Sequence, residues 1–365
     1  MHPKVSIISI SYNQKDFIEE AIQSFLSQKT DFNIEVIIAD DASTDGTQAI
    51  IRDYAKKYPD IIKPILRKKN LGAWNNFTDA IRRAEGDYIA LCEGDDYWTD
   101  STKLQKQVEF LENHSNHALC FHPVKVIFED KKSKSYTYPE PNKHDKYTLN
   151  ELLKNNYIQT NSVMYRRQNY DYLASGMMPG DWYLHLYHAR FGEIGFIDKT
   201  MSVYRRHSGG LWWGSTEKRA AFLKKTCDDH MRLFIEFIDM FSDQPHYVNT
   251  VTNTAVGILQ ETLASNNDRE YIEKMVLMYP RFTPILIGAL LSQNLRHEEI
   301  ASQRLAEIHR LNKDLEYSQS KRIVAEDEAI SLQSSKSYII GNIVLKPIRI
   351  AKAIYGKRSN TNKKS

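Results

Sequence analysis

The chain has 365 residues, 41% of them hydrophobic and 11% aromatic, enough apolar material for a large core and enough to exclude global disorder. No run approaches the roughly 18 consecutive apolar residues that a membrane-crossing helix needs. Three scattered cysteines (Cys92, Cys120, Cys227) suit reduced thiols rather than a disulfide framework. The net charge of +3 conceals a split, because residues 329–365 hold eight of the 49 basic residues and no acidic one. Residues 1–328 therefore carry 41 basic against 46 acidic side chains, a net of −5. A mildly acidic body argues against nucleic acid as a partner, and a basic tail argues for contact with something anionic.

In chain order, Val5–Ile10 reads as a strand rather than a leader core, and Phe17, Ile18, Ala21, Ile22, Phe25 and Leu26 follow at helical spacing. Ile34–Ala39 is a strand apolar at every position but Glu35, Ile50, Ile51 and Tyr54 mark a helix, and Ile61–Leu66 and Tyr88–Cys92 are strands around a helical stretch at Phe77–Ala84. Such alternation predicts a parallel sheet covered on both faces, with ligands bound beyond the carboxyl ends of its strands. Those ends are Ser11-Tyr12-Asn13, Asp40-Asp41 and Glu93-Gly94-Asp95-Asp96.

Residues 129–147 read as a polar surface loop with Pro139 and Pro141. A short helix (Leu149–Leu153), an extended segment (Gln159–Arg166), a helix from Asp181 to Phe191 and short strands at Ile194–Ile197 and Met201–Arg205 come next. From about Ser215 the pattern is helical. Residues 297–336 place Leu305, Ile308 and Leu315 near heptad spacing, with Asn312, Gln319 and Arg322 interrupting the seam; a solvated helix fits as well as a coiled coil.

Adjacent carboxylates at Asp95-Asp96, with Glu93 beside them and no cysteine–histidine cluster, suit a hard divalent cation such as Mg²⁺ or Mn²⁺. Alone, such a pair is equally a solvated turn. Its placement near Asp40-Asp41 in one sheet adds weight, since converging like charges repel unless a cation or ligand intervenes. Neither G-x-G-x-x-G nor G-x-x-x-x-G-K-[ST] occurs, which speaks against a dinucleotide-dependent dehydrogenase and a P-loop NTPase.

Four motifs then stand in order: Val5–Asn13, Asp40-Asp41-Ala42-Ser43-Thr44-Asp45-Gly46-Thr47, Asn70-Leu71-Gly72 with Asn76, and Gly86–Leu91 running into Asp95-Asp96. Over about residues 4–214 the series resembles the family-2 glycosyltransferases of the GT-A fold. The resemblance implies a Rossmann-like α/β domain, a nucleotide-diphosphate sugar donor and a divalent metal, Mn²⁺ or Mg²⁺. It implies that Tyr12 borders the base, Asp40 hydrogen-bonds it, Asp95 lies near the ribose and metal, and Asp96 ligates the metal. Ser11, Asn13 and Asn76 belong to the same donor motifs. Asp181, in Pro179-Gly180-Asp181-Trp182, matches the catalytic base, and Arg205 and His207, in Tyr204-Arg205-Arg206-His207, match a segment that reaches the diphosphate or metal. Glu93 departs from the family's usual first aspartate, and Ile10 stands where many members have proline.

Asp181 can also be an N-cap, His207 an ordinary loop histidine, and Trp98, Trp212 and Trp213 either sugar platforms or packing residues. In the tail, Ile340, Ile343, Val344, Ile348, Ala351, Ile354 and Tyr355 fall on one helical face with lysines and arginines elsewhere, the pattern of an interfacial membrane helix. A C-terminal helix docked on its own body is the alternative.

The expectation is an inverting enzyme that moves a sugar, from a UDP-sugar above all, to a hydroxyl of a glycan or lipid-linked acceptor in bacterial surface-polysaccharide synthesis. It divides into a transferase domain (1–214), a helical extension (215–296), a long helix able to self-associate (297–336) and a basic amphipathic tail (337–365). The expected location is cytoplasmic, on the inner face of the cell membrane. The rivals are an inactive nucleotide-sugar-binding scaffold and a nucleotidyltransferase of the same fold.

Overall fold

The computed structural model describes residues 2–130, 133–140, 147–210, 219–264 and 298–334, with positions 274 and 278. Seven strands form the central sheet: β1 (Val5–Ser11), β2 (Ile34–Asp40), β3 (Ile62–Leu66), β4 (Tyr88–Leu91), β6 (His117–Phe121), β9 (Met164–Arg166) and β10 (Glu193–Phe196), in the spatial order β10-β6-β9-β4-β1-β2-β3. The pairs among β1 to β4 are parallel, in register Val5 to Ile34 and Val5 to Tyr88. β9 is antiparallel to both β4 and β6, so the sheet is mostly parallel with one reversed strand.

Alternation along the strands accounts for the two-sided core. Val5 and Ile7, Val36 and Ile38 face one layer, and Ile8, Ile37 and Ala39 face the other. The first layer is covered by α1 (Ile18–Leu26), α2 (Thr47–Lys57) and α4 (Lys103–Asn113), through Ile22, Phe25, Ile51, Leu104 and Val108. The second is covered by α3 (Ala73–Arg82), α5 (Leu149–Lys154), α6 (Gly180–Ala189), α7 (Arg219–Met240) and α8 (Pro245–Ala264), through Ile81, Leu152, Trp182, Phe234, Phe237 and Leu259. The apolar residues at successive positions of β1, β2 and β4 are thus the consequence of burial on both faces.

A second sheet, in the order β5-β11-β7-β8, joins β5 (Tyr97–Trp98), β7 (Val124–Phe128), β8 (Tyr136–Tyr138) and β11 (Ser202–Arg206). The stretch expected to be a polar loop, 129–147, therefore supplies a strand, because Tyr136 and Tyr138 pair with Val126 and Val124 at an edge that tolerates polar neighbours. All three cysteines are free and buried.

Residues 294–365 separate from 1–293 as a second unit, and each is described by itself. In the second, α9 (Glu298–Ser334) is one 37-residue helix that leaves Tyr317, Ile323 and Val324 exposed. The amphipathic tail, and the loop with Trp212 and Trp213, lie outside the described residues. No helix among the described residues is long and apolar enough to cross a membrane.

Candidate active site

The loops leaving the carboxyl ends of β1, β2 and β4 form the site, as the open-sheet rule requires. The first two are laced together. Asn13, with a left-handed φ of 52°, donates its N–H to Ser43 Oγ at 2.7 Å, and its Oδ1 accepts from Thr44 N–H at 2.9 Å. Ala42, at φ 66°, is a second non-glycine residue in that region, a strained conformation that clusters at functional sites.

Asp40 departs from its expected role. It is fully buried and already accepts four hydrogen bonds, from Ser11 Oγ, Ser43 N–H, Ser43 Oγ and Gln48 Nε2. A carboxylate with its lone pairs so occupied braces the loop and has none to offer a base. One residue on, Asp41 lines a cavity of about 290 Å³ together with Tyr12, Asn70, Asn76, Asp95 and His207, while its carboxylate accepts from the N–H groups of Leu71 and Gly72. Tyr12 stands 52% exposed at this cavity, placed to offer a ring face. Ser11 is buried on Asp40 and also reaches the cavity wall, whereas Asn13 lies outside the lining. Asn76 is tied by Nδ2 to Ala39 O and accepts from Arg67 Nε, so its place in the wall is fixed by the sheet.

Beyond β4, the chain turns at Glu93-Gly94-Asp95-Asp96. Gly94 packs closely there: a Cβ would meet Gln14 Oε1 at 2.5 Å and Ile18 Cδ1 at 2.7 Å, so a larger residue would displace both side-chain ends. Ligand oxygens of Glu93, Asp95 and Asp96 come within 4.8 Å of one another. Burial first, and the Asp95 and Asp181 charges next, push the Glu93 carboxyl up to about 8. Burial, with Asp95 and Glu93 adding to it, raises Asp96 well above the usual carboxylate range.

The two aspartates of this pair sit in different surroundings. Asp96 is 2% exposed and turned inward, with Oδ1 accepting Arg205 N–H at 2.8 Å and Oδ2 accepting Asn161 Nδ2 at 3.0 Å. Asp95 lines the cavity, its Oδ2 lies 3.0 Å from His207 Nε2, and its Oδ1 is buried without a partner. An orphaned buried oxygen beside an imidazole and two crowded carboxyls fits a hard divalent cation. Glu93, Asp95 and Asp96 are the carboxylates that would hold it, with His207 beside Asp95.

Arg205 is held on several sides. Its guanidinium is paired with Glu20 and Glu129, its Nε donates to the Asp95 carbonyl at 2.9 Å, and it lies over the Phe17 and Tyr97 rings. Paired on two sides, it anchors the Asp95 turn, and it lines the smaller cavity together with Arg206. Trp98 is a packing residue, 4% exposed, donating Nε1–H to Asn161 O.

Asp181 falls in the first turn of α6, whose N-cap position is taken by Pro179, so it is not the cap. Gly180 just before it is needed for close approach, since a Cβ would meet Trp74 Cε3 at 2.5 Å. One Asp181 oxygen, Oδ2, accepts from Asn156 Nδ2 at 2.8 Å, and burial raises the carboxyl above its ordinary pKa. Asp181 lines a second, larger cavity of about 700 Å³, which meets the smaller one at Ile10, Ala73, Glu93, Tyr204 and Arg206. Asn156 is the residue for which the sequence offered no signal; Asp41 stands in the Asp40-Asp41 doublet and Arg206 beside Arg205 in the Tyr204–His207 motif.

A mostly parallel sheet with acidic, metal-competent loops at its carboxyl ends and a buried carboxylate across a paired cavity defines a GT-A glycosyltransferase. The glycosyl transferase family 2 model matches residues 6–208, and the chain belongs to that family. It is 43% identical over 282 residues to the uncharacterized protein Rv1520 of Mycobacterium tuberculosis, covering 76% of this chain and 81% of that protein. A shorter match, 44% over 108 residues (30% of this chain, 41% of the other), is to the Escherichia coli UDP-Glc:alpha-D-GlcNAc-diphosphoundecaprenol beta-1,3-glucosyltransferase WfaP. Among solved structures, the fold is similar to S. aureus TarS 1–349 in complex with UDP-GlcNAc, at TM-score 0.54 and 19% identity over 79% of each chain. It is also similar to the Pyrobaculum calidifontis mannosyltransferase PcManGT in complex with GDP-Man and Mn²⁺, at TM-score 0.51 and 15% identity over 87% of this chain and 88% of the other.

Proposed function

We propose that this glycosyltransferase inverts the anomeric centre of a nucleotide-diphosphate sugar, UDP-linked in the first instance, as it passes the sugar to a hydroxyl of a glycan or lipid-linked acceptor. The observation that carries the reading is the pairing of cavities, with Asp95 and His207 on the smaller, Asp181 on the larger, and Glu93 and Arg206 at their junction. Tyr12 borders the base and Asp41 reads its edge. Asp181 takes the proton from the acceptor hydroxyl while that oxygen attacks the anomeric carbon. The bond from that carbon to the diphosphate oxygen breaks, and the nucleoside diphosphate leaves with the bonding electrons. Asp95 and His207 would hold a divalent cation, which when bound would supply charge neutralisation for the departing diphosphate.

The match to WfaP, and a 35% match over 166 residues to the Bacillus subtilis putative teichuronic acid biosynthesis glycosyltransferase TuaG, support an acceptor in bacterial surface-polysaccharide synthesis. The basic amphipathic segment 337–365 is proposed to hold the enzyme on the cytoplasmic face of the membrane, and 297–336 to carry any self-association. The test is a screen of UDP- and GDP-sugars, with and without Mn²⁺, for nucleoside diphosphate release, followed by the anomeric configuration of the product by NMR. A product that retains the donor's configuration overturns the inverting mechanism.

A further inference from the structure

We infer that Asn156 is the positioning residue of the base: its amide grips one oxygen of Asp181 and so turns the carboxylate toward the acceptor. The inference rests on reading Asp181 as the base and goes beyond it, since Asn156 itself passes no proton. Its Nδ2 donates to Asp181 Oδ2 at 2.8 Å, and both residues line the larger cavity.

The direction of the amide is fixed by its own backbone. Asn156 Oδ1 accepts from the N–H of Ile158, two residues on, at 3.3 Å, a turn that asparagine side chains commonly make. With Oδ1 so engaged, the NH₂ end is left for Asp181, and an ionised carboxylate can only accept. The main chain is held as well, because the Tyr138 hydroxyl donates to Asn156 O at 3.3 Å and the Tyr157 hydroxyl to Thr148 O at 3.0 Å.

A second contact ties the same segment to α6. His185 stands one turn after Asp181 on that helix, and its Nε2 lies 3.2 Å from Ile158 O. A carbonyl accepts, so Nε2 carries the hydrogen and Nδ1 accepts from the Tyr165 hydroxyl at 2.6 Å. Burial pushes the His185 pKa down to about 3, which keeps the ring neutral in this arrangement. Residues 156 and 158 thus clasp α6 at two points a turn apart, and the contact at His185 is made wholly inside the core.

The grip has a chemical consequence. Burial raises the Asp181 pKa, while the Trp182 N–H and the Asn156 amide act to lower it. A base works ionised, so the donor both aims the carboxylate and keeps it deprotonated to lower pH. The other titratable groups about Asp181 are Glu93 beyond β4, Tyr165 on β9, His185 on α6, and Lys154, Arg206 and His230 on the cavity wall.

The experiment labels the aspartate carboxyl carbons of the full chain with ¹³C and follows their titration by NMR, Asp181 being the resonance missing from Asp181→Asn. Asn156→Ala removes the donor, and the Asp181 midpoint should rise by about one pH unit. Asn156→Asp keeps the size and the Ile158 bond but sets carboxylate against carboxylate, so the last proton should leave the pair at a still higher pH. In both variants kcat for nucleoside diphosphate release, from the UDP- and GDP-sugars of the screen above, should fall about 10- to 100-fold, with donor KM within twofold. A merely structural role gives the reverse order, with the isosteric aspartate milder than alanine, and overturns the inference; so do midpoints equal to wild type. Tyr165→Phe breaks the His185 contact in the same core and should lower the melting temperature without moving the Asp181 midpoint; an equal shift there overturns the inference in favour of general loosening. If Asn156→Ala fails to fold, Asn156→Asp against wild type decides. Turnover retained in Asp181→Asn refutes the base, whereas turnover lost there with unmoved midpoints in the Asn156 variants refutes the positioning alone.

Discussion

Replacing Asp181 by asparagine separates catalysis from folding. The side chain keeps its size, and Asn156 Nδ2 already donates to one of its oxygens at 2.8 Å. The new amide must turn its oxygen to that donor, which points its NH₂ into the cavity where the acceptor hydroxyl arrives. A proton acceptor is thereby replaced by a donor. General-base loss costs about 10²–10⁴ in turnover, equivalent to about 3–5 kcal/mol of barrier. Stability moves the other way. Burial raises the Asp181 pKa, so between the unfolded and folded values the native state binds more protons, and its ionisation opposes folding as pH rises. The amide removes that opposition, so thermal midpoints above this range should equal or exceed wild type. The same raised pKa sets the acid limb of kcat/KM, with activity lost as pH falls through it, at a higher pH than an ordinary aspartate gives. The assay is nucleoside diphosphate release with acceptor present, beside nucleotide affinity by calorimetry and a thermal melt. Weakened nucleotide affinity with turnover preserved would refute the assignment and place Asp181 in the donor site.

The metal assignment distinguishes neighbours. Asp95→Asn should lower Mn²⁺-dependent transfer by about 10²–10³ with little loss of stability, whereas Asp96→Asn should chiefly destabilise, by about 1–3 kcal/mol, since it disturbs the partners Arg205 N–H and Asn161 Nδ2. Manganese titration and urea melts of both variants read the difference, and full activity in excess EDTA removes the metal altogether. Lys103 is wholly buried, donates to Gln107 Oε1 at 2.6 Å and has its pKa pushed down to about 7 by burial. The folded state therefore binds fewer protons than the unfolded one above about pH 7, so stability should rise with pH from there toward the ordinary lysine range, and Lys103→Met should flatten the slope in urea melts. Truncation before Ser337 should abolish salt-sensitive co-sedimentation with anionic vesicles, because apolar face and charge are both needed for stable attachment; equal sedimentation of both forms removes the tail from membrane binding.

The order of strands and helices through β4, the strand ends that form the site, and the family were all legible in the residues. Burial on both faces writes itself as apolar residues at both odd and even positions of β1 and β2, and a parallel sheet puts its ligands at one end. The strand β8 was hidden because an edge strand carries little apolar signal. The roles within each acidic doublet were hidden for a different reason. Both doublets lie where the chain leaves its strand, and there the direction of each side chain is set by the local backbone and its hydrogen-bond partners, which residue type does not reveal. In Asp40-Asp41 the second carboxylate reaches the cavity, and in Asp95-Asp96 the first does. The pairing of Arg205 with Glu20 and Glu129 could not be read from the chain, because these partners lie 185 and 76 residues away. The sequence determined which chemistry is gathered at the sheet's end; only the tertiary structure decided which atoms of it face the substrate, since that depends on side-chain direction and on partners remote in sequence.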